Sequence, residues 1–223
     1  MKNQLLLYLG KYKYEVLLFA LLQHLFIGIF ITDMIYYRDV IWPINMVLLG
    51  VASIGVFVEK GKWKKWIRTI LFLVVLALPI CLPFFGHLPN YFFALSVIYV
   101  IFFSFIIYEI LRFLIKPSYI NVDIISASAC GYLLLVEISV FLMQVLFYHN
   151  PDSLSGISST SNSETFIDLV YFSTITLTSI GFGDIVPKAY YTKLMTSLFG
   201  IIGQCYTVVL VGNLISKFSA GQK

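Results

Sequence analysis

The sequence predicts an all-α membrane protein with six spanning helices and one re-entrant segment. Three observations carry this. Of the 223 residues 60% are hydrophobic and 12% charged, with a mean hydropathy of +0.91, whereas a soluble domain carries about 25% charged residues. Six apolar runs reach the roughly 18 residues needed to cross about 30 Å of hydrocarbon. A shorter apolar stretch, Thr165–Leu177, sits inside a polar excursion between the last two runs.

The runs are Val16–Ile35, Val40–Val58, Ile67–Phe85, Tyr91–Ile115, Ile124–Phe147 and Tyr190–Ile215. An even number puts both ends on one side of the bilayer. Lys2, Lys11 and Lys13 precede the first run, and Lys60, Lys62, Lys64, Lys65 and Arg68 follow the second. Arg112 and Lys116 follow the fourth, and Lys217 and Lys223 follow the sixth. Only Arg38, Lys188 and Lys193 fall on the opposite side. Basic residues collect on the cytoplasmic face, so both termini are expected in the cytoplasm, in a cell (plasma or inner) membrane. No cleavable signal peptide is expected, because no small-residue cleavage site follows the first run. The net charge of +4 thus reports orientation and contact with membrane lipid; no nucleic-acid partner is implied. Cys81, Cys130 and Cys205 all lie inside runs, at spacings that fit neither a metal site nor a disulfide framework.

Two segments follow. Residues 1–116 hold four runs with short connections, and residues 117–223 hold two runs around the excursion. The join is Lys116-Pro117-Ser118-Tyr119, where proline disfavours helix in the residue before it. From His149 to Glu164 the excursion is polar and Ser-rich, so it is an exposed loop. A helix over Thr165–Leu177 would be about 20 Å long at 1.5 Å per residue, too short to cross, with Ser163 as a possible N-cap. A Gly-x-Gly stretch follows directly. Irregular backbone at membrane depth is tolerated only where it is buried in protein or lines a watery path, so the order alone predicts a pore loop.

That loop reads Thr176-Leu177-Thr178-Ser179-Ile180-Gly181-Phe182-Gly183-Asp184-Ile185-Val186-Pro187. It resembles the selectivity filter of potassium channels, sharply over Phe166–Pro187 and more loosely over residues 124–216. The resemblance implies a pore helix, a filter loop and assembly as a homotetramer around a central pore. Rings of carbonyls at Ser179, Ile180, Gly181 and Phe182 would then replace the hydration shell of permeant K+, with Thr178 and Gly183 completing the filter. Gly181 and Gly183 supply the positive φ that such a strand needs. Ser179 stands where the family more often has Thr, and Phe182 where it has Tyr. Ile180 and Phe182 would pack the filter against its supporting helix. By the same analogy Asp184 accepts a hydrogen bond from Tyr171, where relatives often place Trp.

The last run would be the pore-lining helix. Gly203 is either a gating hinge or a close-packing residue. Gln204 and Thr207 share a face and align with cavity-lining positions, and Ile215 and Phe218 are candidate plugs at the cytoplasmic constriction. The chain ends five residues after Phe218, so no soluble ligand domain is expected in it. Six spans with one pore loop match the layout of voltage-gated potassium channels, whose fourth span carries arginine at every third position. Here that span has basic residues only at Arg112 and Lys116. Useful sensors need three to four charges per subunit, each worth about 2.3 kcal/mol per 100 mV, so little intrinsic voltage sensing is expected.

Glu137 lies midway along the fifth run, and an intramembrane carboxylate is expensive enough to be a functional hypothesis by default. Proton sensing and a hydrogen bond to a neighbouring helix both remain open for it, while His24 and His87 read as packing or interface residues. The function expected is passive, potassium-selective conduction with no cofactor. The alternatives are a weakly selective cation channel and a non-conducting membrane sensor or scaffold subunit. No Ser/His/Asp, Cys/His or metal-spaced cluster supports an enzyme.

Overall fold

The computed structural model describes residues 12–53, 69, 73–81, 85, 90–115, 122–158 and 161–220, without side chains at 211 and 213–220. The join at residues 116–119, His87 and the basic cluster at residues 60–68 lie outside the described residues. Helix α1 is Lys13–Phe26, and a 3₁₀ turn continues it over Ile27–Phe30. It buries Tyr14, Leu17, Leu21, His24 and Leu25, one stripe at helical spacing. The first run was expected to reach Ile35. The chain instead breaks over residues 31–33, where the Asp33 carboxylate accepts from the Ile35 and Tyr36 amides and starts the next helix.

That helix, α2, runs as Met34–Tyr36, a π-wound turn Tyr37–Ile41, and Trp42–Ser53. Pro43 explains the widened turn, since its missing N–H cannot close the bond to Asp39 and neighbouring turns must adjust. Residues 73–81 form α3. Helices α4 (Tyr91–Ile115) and α5 (Val122–His149) follow, then α6 (Asn162–Leu177) and α7 (Tyr190–Ala220). Among the described residues four helical stretches are long and apolar enough to cross a membrane: Lys13–Phe30, Tyr91–Ile115, Val122–His149 and Tyr190–Leu210.

Helix α5 is the hub. It packs against α1, α4, α6 and α7. Its side towards α4 carries an aromatic cluster in which Phe141 stacks on Tyr99 at 5.0 Å and meets Phe103 at 5.6 Å. The Tyr206 hydroxyl of α7 donates to the Ser128 carbonyl at 2.8 Å, and Gly131 leaves the room its ring needs, because any Cβ there would overlap the hydroxyl.

Candidate functional site: the re-entrant helix and its strand

The excursion is more ordered than a polar loop. Helix α5 reaches His149, and Asn150 caps a 3₁₀ turn, Pro151–Ser153, by accepting from the Asp152 amide. Strand β1 (Leu154–Ser155) then pairs antiparallel with β2 (Val186–Pro187), in register Leu154 to Pro187. The Ser153 carbonyl accepts from the Lys188 amide at 2.9 Å and from the Thr192 hydroxyl at 2.8 Å. Gly156, at φ +88°, lets this ribbon lie directly on the Asp184 carbonyl, a place with no room for a Cβ. The pairing was not legible in the sequence, because two-residue strands carry no periodicity and 30 residues separate them.

Helix α6 starts earlier than expected. Ser161, not Ser163, is its N-cap, accepting from the Glu164 amide at 3.2 Å. The Ser161-Asn162-Ser163-Glu164 stretch has the S-x-x-E spacing of a capping box, the signal that would have placed the start. Ser163 lies in the first turn.

At its other end α6 hands over to the strand 178–184. The Ser179 amide donates to Thr176 O at 3.0 Å, and the Ile180 and Gly181 amides donate to Ile175 O at 2.9 and 3.2 Å. The carbonyls left over at the helix end are thus used by the strand's first N–H groups. Ser179, Gly181 and Gly183 have φ of +60°, +54° and +84°, with negative φ between them. An ordinary strand sends successive groups to opposite faces, and a φ that alternates in sign turns successive carbonyls towards one side. Glycine accepts that conformation freely. Ser179 is a non-glycine residue in the left-handed region and carries the strain of it.

Each expected site residue has a place in this frame. The Tyr171 hydroxyl donates to Asp184 Oδ2 at 2.7 Å, the bond the resemblance implied. It holds the Asp184 carboxyl below the usual carboxylate range. The Tyr171 and Phe182 rings stack with centroids 6.4 Å apart and planes 2° from parallel. Phe182 is nevertheless 70% and Ile180 56% exposed, so within one chain neither is packed away as expected. Thr178 bonds the Thr174 carbonyl through both its amide and its hydroxyl.

On α7, a Cβ at Gly203 would lie 2.5 Å from Leu177 O and 3.0 Å from Leu177 Cα. Gly203 is therefore the place where α7 crosses the end of α6, which gives it a packing role. Gln204 does more than line a space: its Nε2 donates to the Ser179 hydroxyl at 2.8 Å, a link the sequence did not reveal. The Thr207 hydroxyl folds back onto the Gly203 carbonyl at 3.0 Å. The side chains of Ile215 and Phe218 lie outside the described residues.

Glu137 has a partner. His24 Nδ1 on α1 meets Glu137 Oε1 on α5 at 2.7 Å, and both side chains are fully buried. Of the two roles open for Glu137, the structure places it in the hydrogen bond to a neighbouring helix. The signal in the sequence was an acid in one apolar run and a base in another, each too costly to stand alone.

Residues 131–220 match the ion channel family. Two pore potassium channel b of Oryza sativa subsp. japonica is 33% identical over 84 residues, 38% of this chain and 22% of that protein. Two-pore potassium channel 1 of Arabidopsis thaliana is 34% identical over 71 residues, 32% of this chain and 17% of its own length. Potassium voltage-gated channel subfamily KQT member 3 of Homo sapiens is 30% identical over 93 residues, 41% and 11%. The chain thus spans about a fifth or less of these relatives. No solved structure matches it.

Proposed function

Because residues 131–220 match the ion channel family and overlapping stretches resemble potassium channels, we propose that this membrane protein is one subunit of a potassium-selective channel. Four copies assemble around a central pore and conduct K+ passively, with little intrinsic voltage sensing. The observation that carries the reading is the strand 179–183. Its first amides are spent on the pore helix, its φ alternates in sign, and it stays open to solvent within one chain. One such strand offers carbonyls from one direction only; four around an axis complete an oxygen cage able to replace a hydration shell. The C-terminal end of α6, with its partial negative charge, favours a cation on the same axis.

Assembly is supported by the face of α7 that the chain leaves uncovered. Leu194, Ile201, Val208 and Val209 are 63–70% exposed there. The absence of basic residues in α4 before Arg112 supports weak voltage dependence. The distribution of basic residues supports cytoplasmic termini in a cell membrane.

Reconstitution into potassium-loaded liposomes tests this. Expected are a reversal potential near the potassium equilibrium value in K+/Na+ gradients and an open probability nearly flat across voltage steps. One observation favours a second reading. The Ser179 hydroxyl is already engaged by Gln204, which weakens the innermost oxygen ring and points towards a weakly selective cation channel. A reversal near zero would put that reading in place of the first, and no flux at all would leave a sensor or scaffold subunit.

A further inference from the structure

Two fully buried titratable side chains, His24 and Glu137, are 113 residues apart in sequence and 2.7 Å apart in space. They join the first helix of the peripheral segment to the hub of the pore segment. The site is buried and aromatic. The His24 ring stacks with Phe141 at 6.4 Å and meets the edge of Phe166, on the pore helix, at 5.3 Å. Tyr37 of α2 and Tyr99 of α4, both buried, are titratable groups that also face Glu137. His24 Nε2 and Glu137 Oε2 have no hydrogen-bond partner among the described residues.

Such a pair is a poor device for stability alone. Two apolar side chains of similar volume usually do as well in a buried site, whereas removing one partner strands the other without its bond. Its value lies in position, because a directional bond fixes one helix against another where packing alone allows sliding. What it fixes here includes the pore helix. Phe166 is held by His24 from α1 at 5.3 Å, by Trp42 from α2 at 6.1 Å and by Phe141 from α5 at 5.9 Å. Two of these three walls belong to the peripheral segment. A second tie runs from the Ser163 hydroxyl to the Met34 carbonyl at 3.5 Å. From Phe166 the pore helix runs as a single element to Ile175 and Thr176, whose carbonyls hold the amides of Ser179, Ile180 and Gly181.

The geometry points to the His24–Glu137 pair as a positioning joint, through which the peripheral segment sets the seat of the pore helix and thereby the rigidity of the filter strand. The pair acts through Phe166 and touches no permeant ion. The joint itself does not depend on the potassium reading; only its consequence for open probability does.

The test compares the natural chain with the His24→Leu/Glu137→Leu double variant, which keeps the site filled and apolar. Purified protein is measured by thermal melting and by hydrogen exchange of the filter amides, neither of which requires conduction. The expected result is a melting midpoint within a few degrees of the natural chain, together with at least ten-fold faster exchange at Ser179–Gly181. In liposomes the same variant should show altered open probability at an unchanged reversal potential. Exchange at the natural rate in the double variant would overturn the joint, since the pair would then be replaceable filling. If the double variant does not fold, Glu137→Gln takes its place in the opposite sense: it keeps the shape and the hydrogen bond, so the filter amides should exchange at the natural rate, and an exchange ten-fold faster would overturn the joint. Failure of the potassium reading would show separately, as a reversal near zero in the natural chain.

Discussion

Helices α5 and α7 both pack on α6 and are both of membrane length, yet they are held in different ways. Of the most apolar stretch of each, 67% is buried in α5 and 11% in α7. Between helices in a bilayer lipid is as apolar as leucine, so hydrophobicity does not drive packing there; close fit and hydrogen bonds do. Helix α5 has both. It carries Glu137 to His24, the Ser139 hydroxyl to that of Ser173 at 3.1 Å, and Cys130 Sγ to the Tyr14 carbonyl at 3.2 Å. Helix α7 makes its polar ties to the rest of the chain at Tyr191, Thr192, Gln204 and Tyr206. Helix α5 is secured within its own chain, while much of α7 is left exposed by it.

Substitutions should separate the two. The largest effect is expected from Glu137→Leu alone, which leaves His24 without its partner in a buried site. Loss of about 3 kcal/mol or more should show as a lowered unfolding midpoint of the purified protein. Gly203→Ala comes next, because its Cβ would press on the backbone of Leu177 at 2.5 Å. Overpacking of this kind costs about 1–3 kcal/mol, and a melt that matched the natural chain would show that α7 can slide off α6 freely. Ser161→Ala removes the cap of α6 and should cost about 1 kcal/mol, read in the same melts.

Ile201→Ser, on the uncovered face of α7, should change the fold of one chain by no more than about 0.5 kcal/mol but lower the oligomer mass seen by light scattering in detergent. If the mass stays the same, the contrast between the two helices means lipid contact only. The smallest effect at neutral pH is expected from Tyr171→Phe. Tyr171 lowers the Asp184 carboxyl in the fold, so the stability this bond contributes is present above the ordinary carboxylate value. It is lost as pH falls through the lowered one. The natural chain should therefore keep its stability further into acid than Tyr171→Phe does, measured as the unfolding midpoint of the purified protein against pH.

Much of α6 and its strand was legible because the chemistry is local. A helix too short to cross, two glycines two residues apart and an acid after them lie in one stretch, and the structure gives that stretch the positive φ the glycines permit. The start of α6 was misplaced by three residues because Ser161 and Ser163 are both acceptable caps by type. Glu164 three residues after Ser161 favours that serine, and the extended backbone there, φ −149° and ψ 153°, confirms it. The end of the first run was also misread. Apolar residues continue past Phe30 to Ile35, and Asp33, a short polar side chain able to bond the following amides, decides the break.

By itself the sequence determined that this chain enters a membrane, how its apolar runs are ordered, and where a strand of unusual backbone must lie. Each follows from neighbouring residues, through hydropathy and through the φ that a side chain permits. Tertiary structure alone decided that Gly203 serves close packing, that Gln204 holds Ser179 and that His24 answers Glu137. Those are contacts between residues 25 to 113 positions apart, and no local pattern records which buried polar groups meet once helices pack.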